Sequence, residues 1–220
     1  MNFLPFSLDW KQYLPFASTG TREVHDSWRT SDGTKVTLRG ARANDGELIQ
    51  QLVRGLSLQS RYQRFFYPLH ELPPDMLARF TDNVPTEAIT LLATMREHGS
   101  GRDVAIAMAQ YVADDYPAHC DFAVVVADQW QGKGVGKRLV QALMCIARAA
   151  GIERMQGDIL AENERMRRLM VRMDFQLQQH ADGAYLRKAS KALGVPEWKC
   201  SPLTALAAQA RHGVRANIHA

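Results

Sequence analysis

A mixed α/β sheet flanked by helices is the fold class this sequence predicts, and three observations predict it. The hydrophobic patterning alternates between the short β-branched runs of strands and the i, i+3, i+4 spacing of helices. The order in which the two types follow one another suits a single mixed sheet. Finally, the run Val124-Val125-Val126 passes through a glycine-rich turn directly into the apolar-periodic helix that begins near Val135. With 220 residues, 46% of them hydrophobic, the chain can bury the core such a sheet needs.

Taken in order, residues 1 to about 20 carry Phe3, Phe6, Trp10, Tyr13 and Phe16 without periodicity, and read as a segment packed over a surface. Ser31-Asp32-Gly33 then sits between two β-type runs, a hairpin signal, and Thr34 to Arg39 is the first clear strand. Asn44 or Asp45 is placed to cap a helix whose buried face is Leu48, Ile49, Leu52, Val53 and Leu56. Two short helices follow, over 57–66 and from Pro73, where proline suits a first turn. Strands are expected over 88–94 and 104–112, joined by the turn-like 98–102, and again over 119–127. After the glycine turn, a helix runs over 134–150 and Gly151 is set to end it. A strand over 154–160, a helix from Glu162 to about Met173, and strands over 175–178 and 184–187 complete the pattern. Leu203 to Ala210 has helical character.

The formal net charge of +4 is mild and the basic residues are dispersed, which suits an anionic ligand but does not by itself argue for nucleic acid, and no nucleic-acid partner is expected. The three cysteines, Cys120, Cys145 and Cys200, are odd in number, and show neither metal-ligand spacing nor a disulfide framework. Neither a signal peptide nor a run of the ~18 apolar residues of a membrane helix is evident, so the expectation is a cytoplasmic protein without membrane contact.

The turn itself reads Gln131-Gly132-Lys133-Gly134-Val135-Gly136. Glycines at alternate positions let the backbone approach a ligand, and the helix that follows turns unpaired N–H groups and a positive dipole end toward it. That is an anion site, suited to a pyrophosphate. It is neither the Gly-x-Gly-x-x-Gly fingerprint nor a nucleotide-triphosphate loop. It matches [Gln/Arg]-x-x-Gly-x-[Gly/Ala], and here the chain resembles the GNAT superfamily of acyl-CoA-dependent N-acyltransferases. The resemblance runs from about Thr34 to Arg187. It implies a twisted, mostly antiparallel sheet splayed where CoA binds, and gives a domain over 34–189 between an extension, 1–33, and a tail, 190–220.

Four stretches further resemble the bacterial Pat-type protein-lysine acetyltransferases: Trp28 to Arg39, Leu56 to Phe66, Cys120 to Val126, and Leu160-Ala161-Glu162-Asn163-x-x-Met166. Two departures stand out, Cys120-Asp121-Phe122 where the family has Ala-Glu-Phe, and Asp174-Phe175 for its Gly-Phe. The resemblance implies acetyl-CoA as cosubstrate, no metal, and an amine acceptor that is a protein lysine first and a small molecule second. It leaves a homodimer open. A third reading keeps the CoA loop in a non-catalytic sensor.

Acetyl transfer to a lysine needs a neutral amine, yet with a pKa near 10.4 only about one in 2,500 is neutral at pH 7. A carboxylate can take the proton. Asp121, ten residues before Gln131, falls where the family places that base; an ordinary strand-end aspartate is the alternative. His119, two residues earlier on the same face of a strand, ranks second as a base. The resemblance further implies that the backbones of Val124, Val125 and Val126 meet the pantetheine arm, with an N–H near Val126 donating to the thioester oxygen. Gln131, Gly132, Lys133, Gly134, Val135 and Gly136 would cradle the pyrophosphate, with Lys137 or Arg138 near phosphate. Asn163 and Met166 would contact CoA, although Asn163 is equally suited to cap the helix after it. No general acid is identifiable, and Arg165, Arg167, Arg168 and Arg172 read as a solvated basic face.

Overall fold

The computed structural model describes residues 25–84, 86–114, 118–194 and 200; the expected N-terminal segment and the helix over 203–210 lie outside them. Among the described residues one eight-stranded sheet carries the molecule, in the order β1-β2-β3-β4-β5-β6-β8-β7. Its strands are β1 (His25–Arg29), β2 (Lys35–Gly40), β3 (Ala88–Arg96), β4 (Asp103–Ala113), β5 (His119–Val126), β6 (Arg154–Leu160), β7 (Gln176–His180) and β8 (Gly183–Ala192). The helices are α1 (Gly46–Gly55), α2 (Leu58–Phe65), α3 (Pro74–Thr81), α4 (Val135–Ala149) and α5 (Glu164–Arg172). The mixed, mostly antiparallel architecture is the expected one. Only β5 and β6 run parallel.

Two cores cover the two faces. α4 buries Leu139, Leu143 and Ile146 against Leu91, Ile106 and Tyr111 of the sheet, a long apolar stripe meeting β-branched and aromatic side chains. On the opposite face Ile49, Leu52 and Val53 of α1 and Phe80 of α3 pack against Leu92, Met108 and Val125.

Three sequence-based expectations need correction. Asp45 starts α1 but makes no side-chain cap; its carboxylate is taken by the buried guanidinium of Arg39 at 2.5 and 2.8 Å and by the Arg42 N–H. The last strand runs on to Ala192, because β8 pairs with β6 along the whole of β6. Cys145 and Cys200 form a disulfide across 55 residues of sequence, a pairing that spacing could not reveal. The cysteines therefore do not argue for a reducing compartment. No helix among the described residues is long and apolar enough to cross a membrane.

Candidate active site

The site begins where β5 and β6 part. They pair at His119↔Arg154, Cys120↔Met155 and Asp121↔Gln156, and no further. Gly157 sits at the point of divergence: a Cβ there would lie 2.7 Å from the Phe122 carbonyl oxygen, so only glycine lets the strands come this close. Phe122 in turn packs on Phe175, ring centroids 5.3 Å apart. Beyond this apex the strands enclose a cleft of 1560 Å³.

Strand alternation fixes what β5 offers to the cleft. The Ala127 N–H donates to Ile106 on β4, and Val126 stands opposite Ala107. Successive residues of a strand point their N–H and C=O groups to opposite sides, so Val125 faces β4 while Val124 and Val126 face the gap left by β6. The Val126 carbonyl accepts from Gln131 Nε2 at 3.0 Å. The N–H groups of Val124 and Val126 and the Val124 carbonyl have no strand partner on that side. The Val125 side chain is buried in the second core.

At the C-terminal end of β5 the chain makes one 3₁₀ turn, Asp128–Trp130, then the glycine turn. Gly132 and Gly134 have φ of +81° and +83°, conformations that residues with a Cβ adopt only at a cost. They hand the chain to α4, whose first N–H groups open toward the cleft. Gln131, Gly132, Gly134, Gly136 and Lys137 line it; Lys133, Val135 and Arg138 do not. The Lys133 ammonium pairs with Asp32 at 2.7 Å and lies over the Trp130 ring. Arg138 pairs with Asp26 and stacks on Trp28, and Val135 is buried in the core. The β1–β2 hairpin thus draws both cations away, leaving Lys137 as the turn's cation toward the cleft. The side chains of Lys133 and Arg138 are thus engaged by Asp32 and Asp26, while the Lys133 backbone stays part of the glycine turn.

A polar network braces this turn. Asp128 accepts from the Ser57 N–H and hydroxyl and from Ser60 Oγ, and Ser57 also caps α2. Burial alone would raise the Asp128 pKa, but these hydrogen bonds outweigh it and hold the carboxyl below its ordinary value. Gln131 Nε2 reaches Ser60 Oγ as well as Val126, and Arg165 donates to Gln131 Oε1. The Leu-Ser-x-x-Ser stretch thereby has a physical purpose, one that spacing alone did not disclose. Arg165, Arg168 and Arg172 line the cleft, so the side of α5 read as a solvated basic face is a cleft wall. Asn163 lines it too, while its Oδ1 caps α5 by accepting from the Met166 N–H at 3.0 Å. Met166 lies alongside.

The acetyltransferase (GNAT) family model matches residues 56–175, more than half of the chain. The chain belongs to the GNAT acetyltransferase family. Over 159 residues, 71% of this chain and 84% of the relative, it is 31% identical to an acetyltransferase of Pseudomonas aeruginosa. Over 69 residues, 31% of this chain and 21% of the relative, it is 35% identical to acetyltransferase Pat of Mycolicibacterium smegmatis. The GNAT domain of S. lividans PAT shares the fold, with a TM-score of 0.68 at 23% identity over 76% of this chain and 96% of that domain. The resemblance to the Pat-type subgroup stands, and the chain is an N-acetyltransferase of the GNAT family.

In this GNAT chain the end of the cleft away from the glycine turn is lined by carboxylates, among them Glu87, Asp114, Asp121 and Asp158. Asp121 is half-buried at the last paired position before the strands diverge. Burial pushes its carboxyl above the ordinary range; Lys188 opposes this, the charges of Asp114 and Asp158 add to it, and a Gln156 hydrogen bond opposes it again. Gln156 also reaches Asp114 at 3.4 Å. His119 does not line the cleft: it lies two residues back, where β5 and β6 are still paired, which argues against its role as a base. The free Cys120 is buried, and burial raises its thiol pKa, so it offers no accessible nucleophile. No described residue lining the cleft is a tyrosine, histidine or cysteine. Among the described residues no cluster of three or more His, Cys, Asp or Glu is placed to hold a metal ion.

Proposed function

We propose that this chain moves an acetyl group from acetyl-CoA directly to a primary amine, a protein lysine side chain in the first instance, with Asp121 as general base. The observation that carries the reading is the divergence of β5 and β6 immediately past a carboxylate of raised proton affinity. It leaves a polar backbone track running from that carboxylate to the glycine turn. The residues present fit a CoA arm. Val124 and Val126 offer it unpaired backbone groups, Asn163 and Met166 stand across the gap, and the α4 N-terminus with Lys137 supplies positive charge for the pyrophosphate.

Asp121 takes the proton from the acceptor ammonium, directly or through a water, since aspartate is one methylene shorter than glutamate. Its raised pKa brings it nearer to neutral pH, the condition for an effective base. The freed amine forms the N–C bond as the C–S bond of the thioester breaks, its second proton passing to the departing sulfur or to solvent, while the N–H of Val126 or Val124 donates to the carbonyl oxygen. With no tyrosine, histidine or cysteine among the described residues lining the cleft, the sulfur, whose thiol has a pKa near the ~8.5 of cysteine, departs as thiolate.

Thiol release from acetyl-CoA tests this, using lysine-containing proteins and peptides beside small amines, with wild type and Asp121→Asn. Release with protein acceptors and a 42 Da mass gain (~one acetyl) on lysine, lost in the variant while CoA still binds, is the expected result. Release with small amines alone would replace the acceptor class. Tight CoA binding without release would mean a sensor.

A further inference from the structure

One cation lining the cleft has a buried donor without a partner. Arg64, in the last turn of α2, has no hydrogen bond or ion pair among the described residues. Its guanidinium instead lies 4.9 Å from the ring centre of Phe65 and 5.7 Å from that of Phe80. Its Nε is buried without a partner, and the residue lines the cleft. Burial lowers its pKa to about 10, so it stays charged at neutral pH. Two aromatic faces hold a guanidinium in place but leave its in-plane donors unused, and a buried donor without an acceptor is costly. The other arginines lining the cleft differ: Arg165 is engaged by Gln131, Arg168 by Glu164, Arg79 lies 3.7 Å from Asp75, and Arg172 is exposed to solvent.

Topology places Arg64 toward the acceptor end. Ser60, one turn earlier on α2, is tied to Gln131 and the glycine turn, so the helix leads away from the pyrophosphate end. Phe80 belongs to α3, after which Asn83 binds Thr90 of β3. The start of β3 registers with the end of β4, where Val112 stands opposite Asp121.

We infer that Arg64 receives a carboxylate carried by the amine acceptor, so that the cleft reads ammonium and carboxylate together. This rests on the acyltransfer reading above. A planar guanidinium fixed between rings matches a carboxylate in bidentate fashion, while Asp121, Asp114, Asp158 and Glu87 serve the ammonium. The carboxylate can belong to an acidic side chain beside the target lysine or to a free amino acid, and the test separates these sources.

Acceptors are compared in near-isosteric pairs that differ in a carboxylate against its amide. One pair is Nα-acetyl-lysine with Nα-acetyl-lysinamide; the other is terminally blocked Glu-Lys-Glu with Gln-Lys-Gln. Each is scored by kcat/KM for thiol release and, independently of turnover, by calorimetric binding to the CoA-loaded protein. Wild type should favour the carboxylate member of at least one pair about tenfold or more. Which pair responds identifies the source. In Arg64→Gln that ratio should collapse toward one, and Arg64→Lys, which keeps the charge but loses the fork, should fall between. Equal kcat/KM and equal binding within both pairs for wild type would overturn the inference, whether or not either variant folds. So would an Arg64→Gln defect confined to CoA affinity. Absence of thiol release with every acceptor would refute the acyltransfer reading instead, and the binding ratio would still decide the role of Arg64.

Discussion

The two ends of the cleft are built on opposite principles. The glycine-turn end is made of backbone, its N–H groups aimed by two left-handed glycines and held by a network in which Ser57, Ser60, Asp128, Gln131 and Arg165 each have a partner. The other end is made of side chains from separate elements, Arg64 on α2, Asp121 on β5 and Asp158 on β6, with charges only partly offset. A satisfied network rigidifies, whereas a carboxylate short of partners keeps its affinity for a proton. Rigid capture of a constant ligand and reactive capture of a variable one call for this difference.

Breaking the reactive end should have the largest effect. Asp121→Asn is expected to lower kcat by about 10²–10⁴-fold with CoA affinity retained, read by initial rates and calorimetry. The fold should not weaken, since the charge removed is one that burial opposes; an accompanying fall in Tm would indicate a structural role instead. Next comes the rigid end. Gly134→Val forces a β-branched residue to φ +83°, which should cost about 1–2 kcal/mol and weaken CoA binding roughly tenfold with little change in saturated rate.

The brace is third. Asp128→Ala strands three donors from Ser57 and Ser60 and should lower stability by about 1–3 kcal/mol in a denaturant titration, with a rise in KM for acetyl-CoA. The contrast between cations is smaller. Lys137→Ala should weaken CoA binding by up to about tenfold and steepen no other dependence, while Lys133→Ala should change it far less, because Asp32 already holds that ammonium.

The pH profile sharpens the comparison further. Asp121 has a folded-state pKa raised above its ordinary value, so it is protonated, and useless as a base, up to a higher pH than a solvated aspartate. The acid limb of kcat/KM should therefore lie above the usual carboxylate range and vanish from the residual activity of Asp121→Asn. Asp114→Asn removes a neighbouring negative charge and should shift that limb down.

The same contrast explains what the amino-acid sequence disclosed. Periodicity and turn residues are local, and they located every strand and helix among the described residues to within a few positions, β8 excepted, whose length depends on its partner β6. The glycine turn was legible because glycine spacing encodes its backbone conformation. Partner choice is not local. The fold brings Asp32 to Lys133 across 101 residues and Ser60 to Gln131 across 71, contacts that no local pattern encodes. Arg64 lies within the Leu56–Phe66 stretch of the family resemblance, but nothing there marks it as a cation without a partner, since in sequence such a residue looks like any other. His119 shared the correct strand face, yet only the register shows that the strands have not yet parted there.

The diverging strands have one more consequence. A strand with unpaired backbone groups is ordinarily an edge, a template on which another polypeptide can add itself. Here that edge lies at the floor of a cleft whose walls include Ser60 and Arg64 of α2 and Arg165 and Leu169 of α5. A β-strand with side chains on both faces would collide with those walls, whereas a slim unbranched arm bearing amides can lie along Val124 and Val126. On the proposed reading the sheet would be finished by its ligand instead of by protein, and the geometry that selects the guest would also discourage aggregation.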